Sequence, residues 1–417
     1  MRDAVHAQHL QTGLRPPSLR RVAVLGSTGS LGNQALDLCR RFGDRVRVVA
    51  LGASGRNAAL LLRQARAFRP ALVAVPDPAQ ARRLQAELGP GPTQVIGGPD
   101  ALVQAAVHPE VDLALVLTVG LAGLEPTLRA LEAGKRVALA NKEVLVAAGE
   151  LLESAHRVRR GQLLPVDSEH SAIWQSLWGE PEGAVERLWL TASGGPFWGW
   201  PPERLAGVTP QQALNHPTWR MGPRVTVDSA TLMNKGFEVI EAHHLFGVPY
   251  ERIRVVVHRQ SVVHSVLEFC DGSYKAQLSL PDMRIPLLVA MSFPERWALP
   301  TEPLFRPASG DGGIKGPLAL TFELPADEPR SVRLARQAAE AGGTYPAVLA
   351  AADEAAVQAF LGGRLRFDRL LDVVEAVLQE HEPPGGLLHV DQVREADRWA
   401  REAAERITEG LVSGGAE

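Results

Sequence analysis

A chain of 417 residues with 45% hydrophobic residues holds more apolar material than one core usually takes, so two or three domains are expected. Forty-four Lys and Arg against 47 Asp and Glu leave a formal charge of -3, which excludes a general basic field for nucleic acid or an anionic membrane; any phosphate must be met locally. No stretch approaches the roughly 20 apolar residues that cross a bilayer, and residues 1–20 lack the apolar run of a signal peptide, so a mobile tail on a cytoplasmic protein is expected. From Arg21 to Val166, short apolar runs (Arg21–Leu25, Arg45–Leu51, Leu72–Val75, Leu113–Leu117, Arg136–Ala140, Leu163–Val166) alternate with segments of helical period. This alternation predicts a parallel sheet wrapped by helices over residues 21–166. The first run leads into Gly26, Ser27, Thr28, Gly29, Ser30, Leu31 and Gly32, then into an amphipathic segment with Leu36, Leu38 and Phe42. A strand, a glycine turn and a helix start are what a dinucleotide pyrophosphate needs, although the spacing is GxxGxxG and turns are glycine-rich in any case.

The second run ends in Gly52, Ala53, Ser54, Gly55, Arg56 and Asn57, with no carboxylate for a ribose 2′-hydroxyl. Arg56 can pair with the 2′-phosphate of NADP, helped by Ser54 and Asn57, or it is a solvated arginine at a helix start. Cys39 and Cys270, the only cysteines, have no metal or redox spacing and read as core thiols in a reducing compartment.

Asp167, Ser168 and Glu169 follow the sixth run, and two carboxylates two residues apart at a strand end project to one side, as a hard cation requires. Ser193, Gly194 and Gly195 then close the run Arg187–Thr191 and form either a phosphate loop or a turn. The stretch Leu214–Pro223, with His216, Trp219 and Met221, is either a lid that packs on ligand or a loop folded onto the protein's own core. Asp228, Ser229, Asn234, Lys235 and Glu238 come next; helical spacing sets Asn234, Lys235 and Glu238 on one face, so that one end can bind phosphate and the other a metal. Three oxygen ligands and no Cys favour magnesium or manganese over zinc. Adjacent His243 and His244 diverge by about 100° on a helix and read as structural, as do Trp174, Trp178 and Trp189.

The runs Ile253–Val257, Val262–Phe269 and Tyr274–Leu280 are too closely joined for helical crossovers, so residues 167–300 read as an α+β domain with antiparallel pairs and a lid at about 206–222. Pro and Gly between Trp297 and Gly316 mark a linker, set at 301–328. Ser331–Ala341, Tyr345–Leu361 and Leu370–His381 have helical spacing and predict a helical domain over 329–417, with Arg394–Arg406 as a solvated face.

In order, GSTGSLG, ALANKE (Ala138–Glu143), PVDSEHSA, TASGGPF, HPTWRMG, DSATLMNKGFEVIEA and RQSVVHS (Arg259–Ser265) resemble the signatures of the 1-deoxy-D-xylulose-5-phosphate reductoisomerase family. The resemblance runs from Arg21 to about Leu280 and implies a Rossmann-like NADPH-binding domain, an α+β catalytic domain and a C-terminal helical domain. It implies rearrangement and reduction of 1-deoxy-D-xylulose 5-phosphate to 2-C-methyl-D-erythritol 4-phosphate, in the non-mevalonate isoprenoid precursor pathway. It implies NADPH with Mg2+ or Mn2+, Co2+ as a further option, and a homodimer whose sheet lies between Ile253 and Leu280. It places the metal on Asp167, Glu169 and Glu238, the substrate phosphate on Ser193, Ser229, Asn234 and Lys235, and the oxygenated substrate carbons on Ser168. His216, Trp219 and Met221 become a lid, Lys142 and His264 border the reacting centre, and Asn141, Lys142 and Glu143 join the glycine turn in holding the cofactor. Arg259 stands where the family has Pro, and Ala351–Asp353 where it has a pair of Asn. Two other readings fit the residues alone. An NADP-dependent dehydrogenase of another phosphorylated polyol would reduce without rearranging, and a non-catalytic NADPH and phosphate-ester sensor would bind without consuming.

Overall fold

In a computed structural model that describes residues 19–413 apart from 153, 182, 300, 302–303 and 305–318, the chain forms two units. Most of the expected tail and the centre of the expected linker lie outside the described residues.

The first unit takes in the chain up to Lys142, Ser154–Glu182 and Asp282–Thr301. Its strands are β1 (Arg20–Leu25), β2 (Val46–Gly52), β3 (Leu72–Val75), β4 (Gln94–Gly97), β5 (Leu113–Val116), β6 (Arg136–Leu139) and β7 (Leu163–Pro165). They form one parallel sheet in the order β4-β3-β2-β1-β5-β6-β7. Val22, Ala23, Val24 and Leu25 are all 0% exposed, because helices cover both faces and an all-parallel sheet can leave neither wet. The chain order reverses between β1 and β5, and the crevice at the carboxyl ends of two such strands is where this architecture binds ligands. β4 has no counterpart in the sequence reading: it is a half-exposed edge strand, so its residues Gln-Val-Ile-Gly carry no continuous apolar run. β1 also begins one residue earlier than expected, with Arg20 buried and donating to the Phe293 carbonyl at 3.1 Å.

The second unit holds Glu143–Glu153, Gly183–Pro281 and the chain from Glu302 on. β8 (Val185–Ala192), β9 (Ile253–Val257), β10 (Val263–Phe269) and β11 (Tyr274–Leu278) form a sheet in the order β11-β10-β8-β9. The β10–β11 pair is antiparallel, as its short connection requires; β10–β8 is also antiparallel, and β8–β9 is parallel. The helix Met233–Phe246 packs on this sheet and on the helix Arg330–Ala341, where Gly236 makes room: a Cβ there would lie 2.8 Å from the Ala335 methyl. Helices Tyr345–Leu361, Leu370–Glu380 and Val390–Ser413 complete the unit. Cys39 is buried, which pushes its thiol up to about 12, but Cys270 is exposed beside the β10–β11 turn and is not the core thiol expected. Among the described residues no helix is long and apolar enough to cross a membrane.

Candidate functional site

In the first unit, β1 delivers the chain into the turn at Gly26, whose φ is 86°. A Cβ at Gly26 would stand 2.4 Å from the Leu117 carbonyl oxygen, and one at Gly32 would stand 2.2 Å from the Gly26 oxygen. Only glycine allows β1, its turn and the helix Ser30–Arg41 to approach so closely. Gly29 precedes that helix without a side-chain cap, and Gly29 and Ser30 are exposed. Uncapped amide N–H groups at a helix start attract an anion, so the turn fits a pyrophosphate.

At the end of β2, Ser54, Arg56 and Asn57 are exposed, and no acidic side chain lies between Gly52 and Asn57. Asn57 accepts from the Leu60 amide at 3.1 Å and caps the helix Ala58–Phe68, which leaves the cationic Arg56 as the charged group of the turn. Beyond β6, the buried Asn141 amide donates to Thr118 Oγ1 at 3.1 Å and to the Gly120 carbonyl at 2.8 Å. The side chain of Asn141 therefore braces the ends of β5 and β6.

Asp167 stands at the N-cap of the helix Ser168–Ser176, with Glu169 in its first turn. The strand ends at Pro165, one residue short of the expected run, and the two carboxylates stand on the helix start with an oxygen of each within 4.8 Å of the other, on one side as expected. Lys142 Nζ donates to Asp167 Oδ2, and Ser168 Oγ donates to Glu169 Oε2. Both contacts hold oxygen donors of the kind a hard cation takes.

In the second unit, β8 ends at Ala192 and Ser193 follows at the start of a double-glycine turn. Gly195 has φ 64°, and a Cβ there would come within 2.8 Å of the Ser229 carbonyl oxygen, so glycine is needed to bring the two serines together. His216 links them: its Nε2 lies 3.0 Å from Ser193 Oγ and 3.1 Å from Ser229 Oγ. The amides of Trp219 and Thr218 point at His216 Nδ1, at 2.9 and 3.2 Å. Nδ1 therefore accepts, Nε2 carries the proton and donates to the serine oxygens, and burial depresses the pKa to keep the ring neutral. Ser193 Oγ also accepts from the Gly195 amide at 3.2 Å, so with its lone pairs engaged its own O–H is left to donate elsewhere. Two hydroxyls set by one neutral imidazole make a cradle for an oxyanion.

Lys235 is 4% exposed and donates to the Thr191 carbonyl at 2.8 Å and to Glu238 Oε2 at 2.5 Å. Asn234 donates to the other Glu238 oxygen at 2.6 Å. The expected helical face is thus present on Met233–Phe246, and the amide and the ammonium both support the ionised carboxylate. The Leu214–Pro223 loop folds around His216; Trp219 meets the His264 ring edge-to-face with centroids 5.9 Å apart, and His264 Nε2 lies 2.9 Å from Ser279 Oγ. Met221 is half-buried on the same loop.

Glu143, expected near the cofactor, pairs instead with Arg224 at 2.7 Å. Arg224 also bonds Glu354 at 2.8 Å and lies 3.7 Å from Asp228 and 3.8 Å from Asp353. Burial pulls its pKa down, but these four carboxyl groups raise it on balance. The sequence reading passed over Arg224, although its i,i+4 spacing to Asp228 was a usable signal. His243 and His244 have the structural roles expected: His243 stacks on Tyr250 at 4.1 Å, and His244 is packed against Gly149. Trp174 is buried in an aromatic cluster with Trp178 and Phe293.

Residues 22–149 match the family described as 1-deoxy-D-xylulose 5-phosphate reductoisomerase, residues 163–246 its C-terminal domain, and residues 278–403 the DXP reductoisomerase C-terminal domain. A relative of that name from Symbiobacterium thermophilum is 52% identical over 388 residues, covering 92% of this chain and 97% of the relative. The solved enzyme of that name from Zymomonas mobilis, in complex with NADPH, is 39% identical with a TM-score of 0.83 and covers 94% of this chain and 99% of its own. A DOX-P reductoisomerase solved with NADPH, fosmidomycin and magnesium is 34% identical with a TM-score of 0.85, covering 94% and 99%. With its glycine turn, carboxylates and hydroxyl cradle carried on a match that runs nearly end to end, the chain belongs to the 1-deoxy-D-xylulose 5-phosphate reductoisomerase family.

Proposed function

We propose that the protein rearranges 1-deoxy-D-xylulose 5-phosphate and reduces the product with NADPH to 2-C-methyl-D-erythritol 4-phosphate, with a divalent cation, Mg2+ or Mn2+, required. The observation that carries this reading is the His216-bridged pair Ser193 and Ser229, a built oxyanion cradle in a member of this family. When bound, the cation polarises the substrate carbonyl and NADPH supplies hydride. Asp167, Glu169 and Glu238 are the proposed metal ligands: all three are carboxylates, and Lys142, Ser168, Asn234 and Lys235 hold them through hydrogen bonds. Ser193 and Ser229, with Asn234 and Lys235, anchor the phosphate far from the reacting carbons. That binding energy orients the substrate and closes the Leu214–Pro223 loop, so that Trp219 and Met221 exclude water. Ser168 meets the oxygenated carbons, and Lys142 and His264 border them. The turns Gly26–Leu31 and Gly52–Asn57, with Asn141 and Lys142, hold the cofactor, Arg56 taking the 2′-phosphate.

The residue blocks 21–166, 167–300 and 329–417 are proposed as the nucleotide, catalytic and helical parts. A homodimer through the β11 edge is favoured by its exposed Tyr274 and Leu278, and a cytoplasmic location by two free cysteines. The deciding assay follows NADPH absorbance with 1-deoxy-D-xylulose 5-phosphate, with and without chelator, and identifies the product's carbon skeleton. Chelator-sensitive consumption with a branched product is expected. Reduction of an unrearranged skeleton would point to an ordinary dehydrogenase, and saturable binding without consumption to a sensor.

A further inference from the structure

The carboxyls of Asp228, on the helix Pro223–Thr231, and Asp353, on Tyr345–Leu361, are each 3% exposed, stand 3.7 and 3.8 Å from the one guanidinium of Arg224, and each keep a buried oxygen, Asp228 Oδ1 and Asp353 Oδ2, without a hydrogen-bond partner. Two buried carboxyls that crowd one guanidinium, each with an unpartnered oxygen, are relieved of charge and gain a donor if one of them keeps its proton. We propose that this pair holds one proton at neutral pH, and that the proton positions the Pro223–Thr231 helix and, through it, Ser229 in the phosphate cradle.

The surrounding charges are all accounted for. Arg224 faces the pair from the Asp228 helix, at 3.7 Å from Asp228 and 3.8 Å from Asp353. Glu354 lies beside Asp353 and Glu143 reaches in from the helix Lys142–Leu152, both bonded to Arg224. Arg401 and Asp397 on Val390–Ser413 close the outer side, Arg401 bonding Glu354 at 3.0 Å and Asp397 at 2.9 Å. One guanidinium among four carboxyls, only partly helped by Arg401, leaves an excess of negative charge in a buried place, and retaining a proton relieves it. Burial, then the charge of Asp353, pushes Asp228 well above the usual carboxylate range. Burial likewise pushes Asp353 up to about 6, against the pull of Arg224. Asp228, pushed up further, is therefore the acid of the pair and Asp353 its ionised partner.

The sign follows from these directions. Raised acids make the folded state hold more protons than the unfolded state, so the pair's contribution to stability falls as pH rises, first through about 6 and again when the last proton leaves. Two charged carboxylates then repel across the contact between their helices, and Ser229, next to Asp228, loses its setting.

The test compares the wild-type protein with D353N and, independently, D228N. Either amide donates to the remaining carboxylate without needing a proton. Melting temperature is followed between about pH 5 and about pH 10, together with KM and kcat for 1-deoxy-D-xylulose 5-phosphate. Relative to either variant, the wild type should lose several degrees as pH rises, and its KM should climb severalfold at alkaline pH with little change in kcat, while D353N stays flat. Parallel melting profiles for the wild type and both variants would overturn the shared proton. Diverging melting profiles with parallel KM profiles would overturn the positioning role. The kinetic arm rests on the proposed substrate; the melting arm does not, so absence of turnover would count against that substrate and leave the proton to be judged by melting alone.

Discussion

At the scale of single residues, Glu238 and Arg56 separate the two chemistries assigned to the chain. Glu238 is fully buried, with one oxygen bonded to Asn234 and the other to Lys235. Gln keeps the shape but removes the charge and turns its NH2 against the Asn234 amide or the buried Lys235 ammonium, so E238Q should lower the melting temperature, and in the protein that remains folded kcat with Mg2+ should fall by about 100-fold or more. Normal metal-dependent turnover in E238Q would end the ligand assignment. Arg56 is exposed, so its replacement costs little stability. Losing a charge-assisted bond worth about 1.5–3 kcal/mol should raise KM for NADPH by roughly 10- to 100-fold in R56A and leave that for NADH alone. Equal weakening of both cofactors would make Arg56 a solvated surface group. Both assignments are proposals from the sequence, where carboxylate and glycine-turn spacings suggest the chemistry and the family resemblance supplies the roles. The role of His216 as a bridge was not legible, since Ser193 and Ser229 lie 23 residues before and 13 after it and only the fold brings them to one ring.

At the scale of elements, periodicity located strands wherever they are rich in apolar and β-branched residues. β3 and β9 coincide with the apolar runs Leu72–Val75 and Ile253–Val257, and the helix Tyr345–Leu361 with its Ala-rich stretch. It failed at β4, whose half-exposed residues have no apolar run. It was also silent on how helices meet, and Gly236 shows why. The glycine sits in a helix, where propensity alone disfavours it, yet the approach of Ala335 and of the Ser331 carbonyl at 3.0 Å leaves no room for a side chain. G236V should therefore lower unfolding free energy by about 1–3 kcal/mol through overpacking, read as a shifted urea midpoint at constant m-value. Gly410, also helical, has nothing within 4 Å of a Cβ, so G410A should be neutral or slightly stabilising. If both substitutions behave alike, the packing argument for Gly236 fails and only propensity remains.

At the scale of the whole molecule, a net charge of -3 makes general charge repulsion weak near neutrality, so the response of stability to pH is governed by a few buried groups. On the acid side the leading one is His244, whose ring lies against Gly149. Burial, with His243 as a secondary repulsion, lowers its pKa from 6.5 to about 4. A lowered histidine pKa means that the unfolded chain binds the proton first. The contribution of His244 is thus fully present above 6.5 and is lost as pH falls from there towards about 4, by ~3 kcal/mol in all. This sign opposes that of the Asp228–Asp353 pair, whose contribution is lost as pH rises through about 6, so over the acid range the two partly offset one another. H244Q cannot take up the proton and should flatten the acid limb alone. In urea titrations at about pH 5 and about pH 7, the wild type should lose roughly 1–2 kcal/mol more than H244Q on acidification. An equal loss in both proteins would show that His244 is solvated or paired when protonated, and would move the origin of the acid limb to the carboxylates.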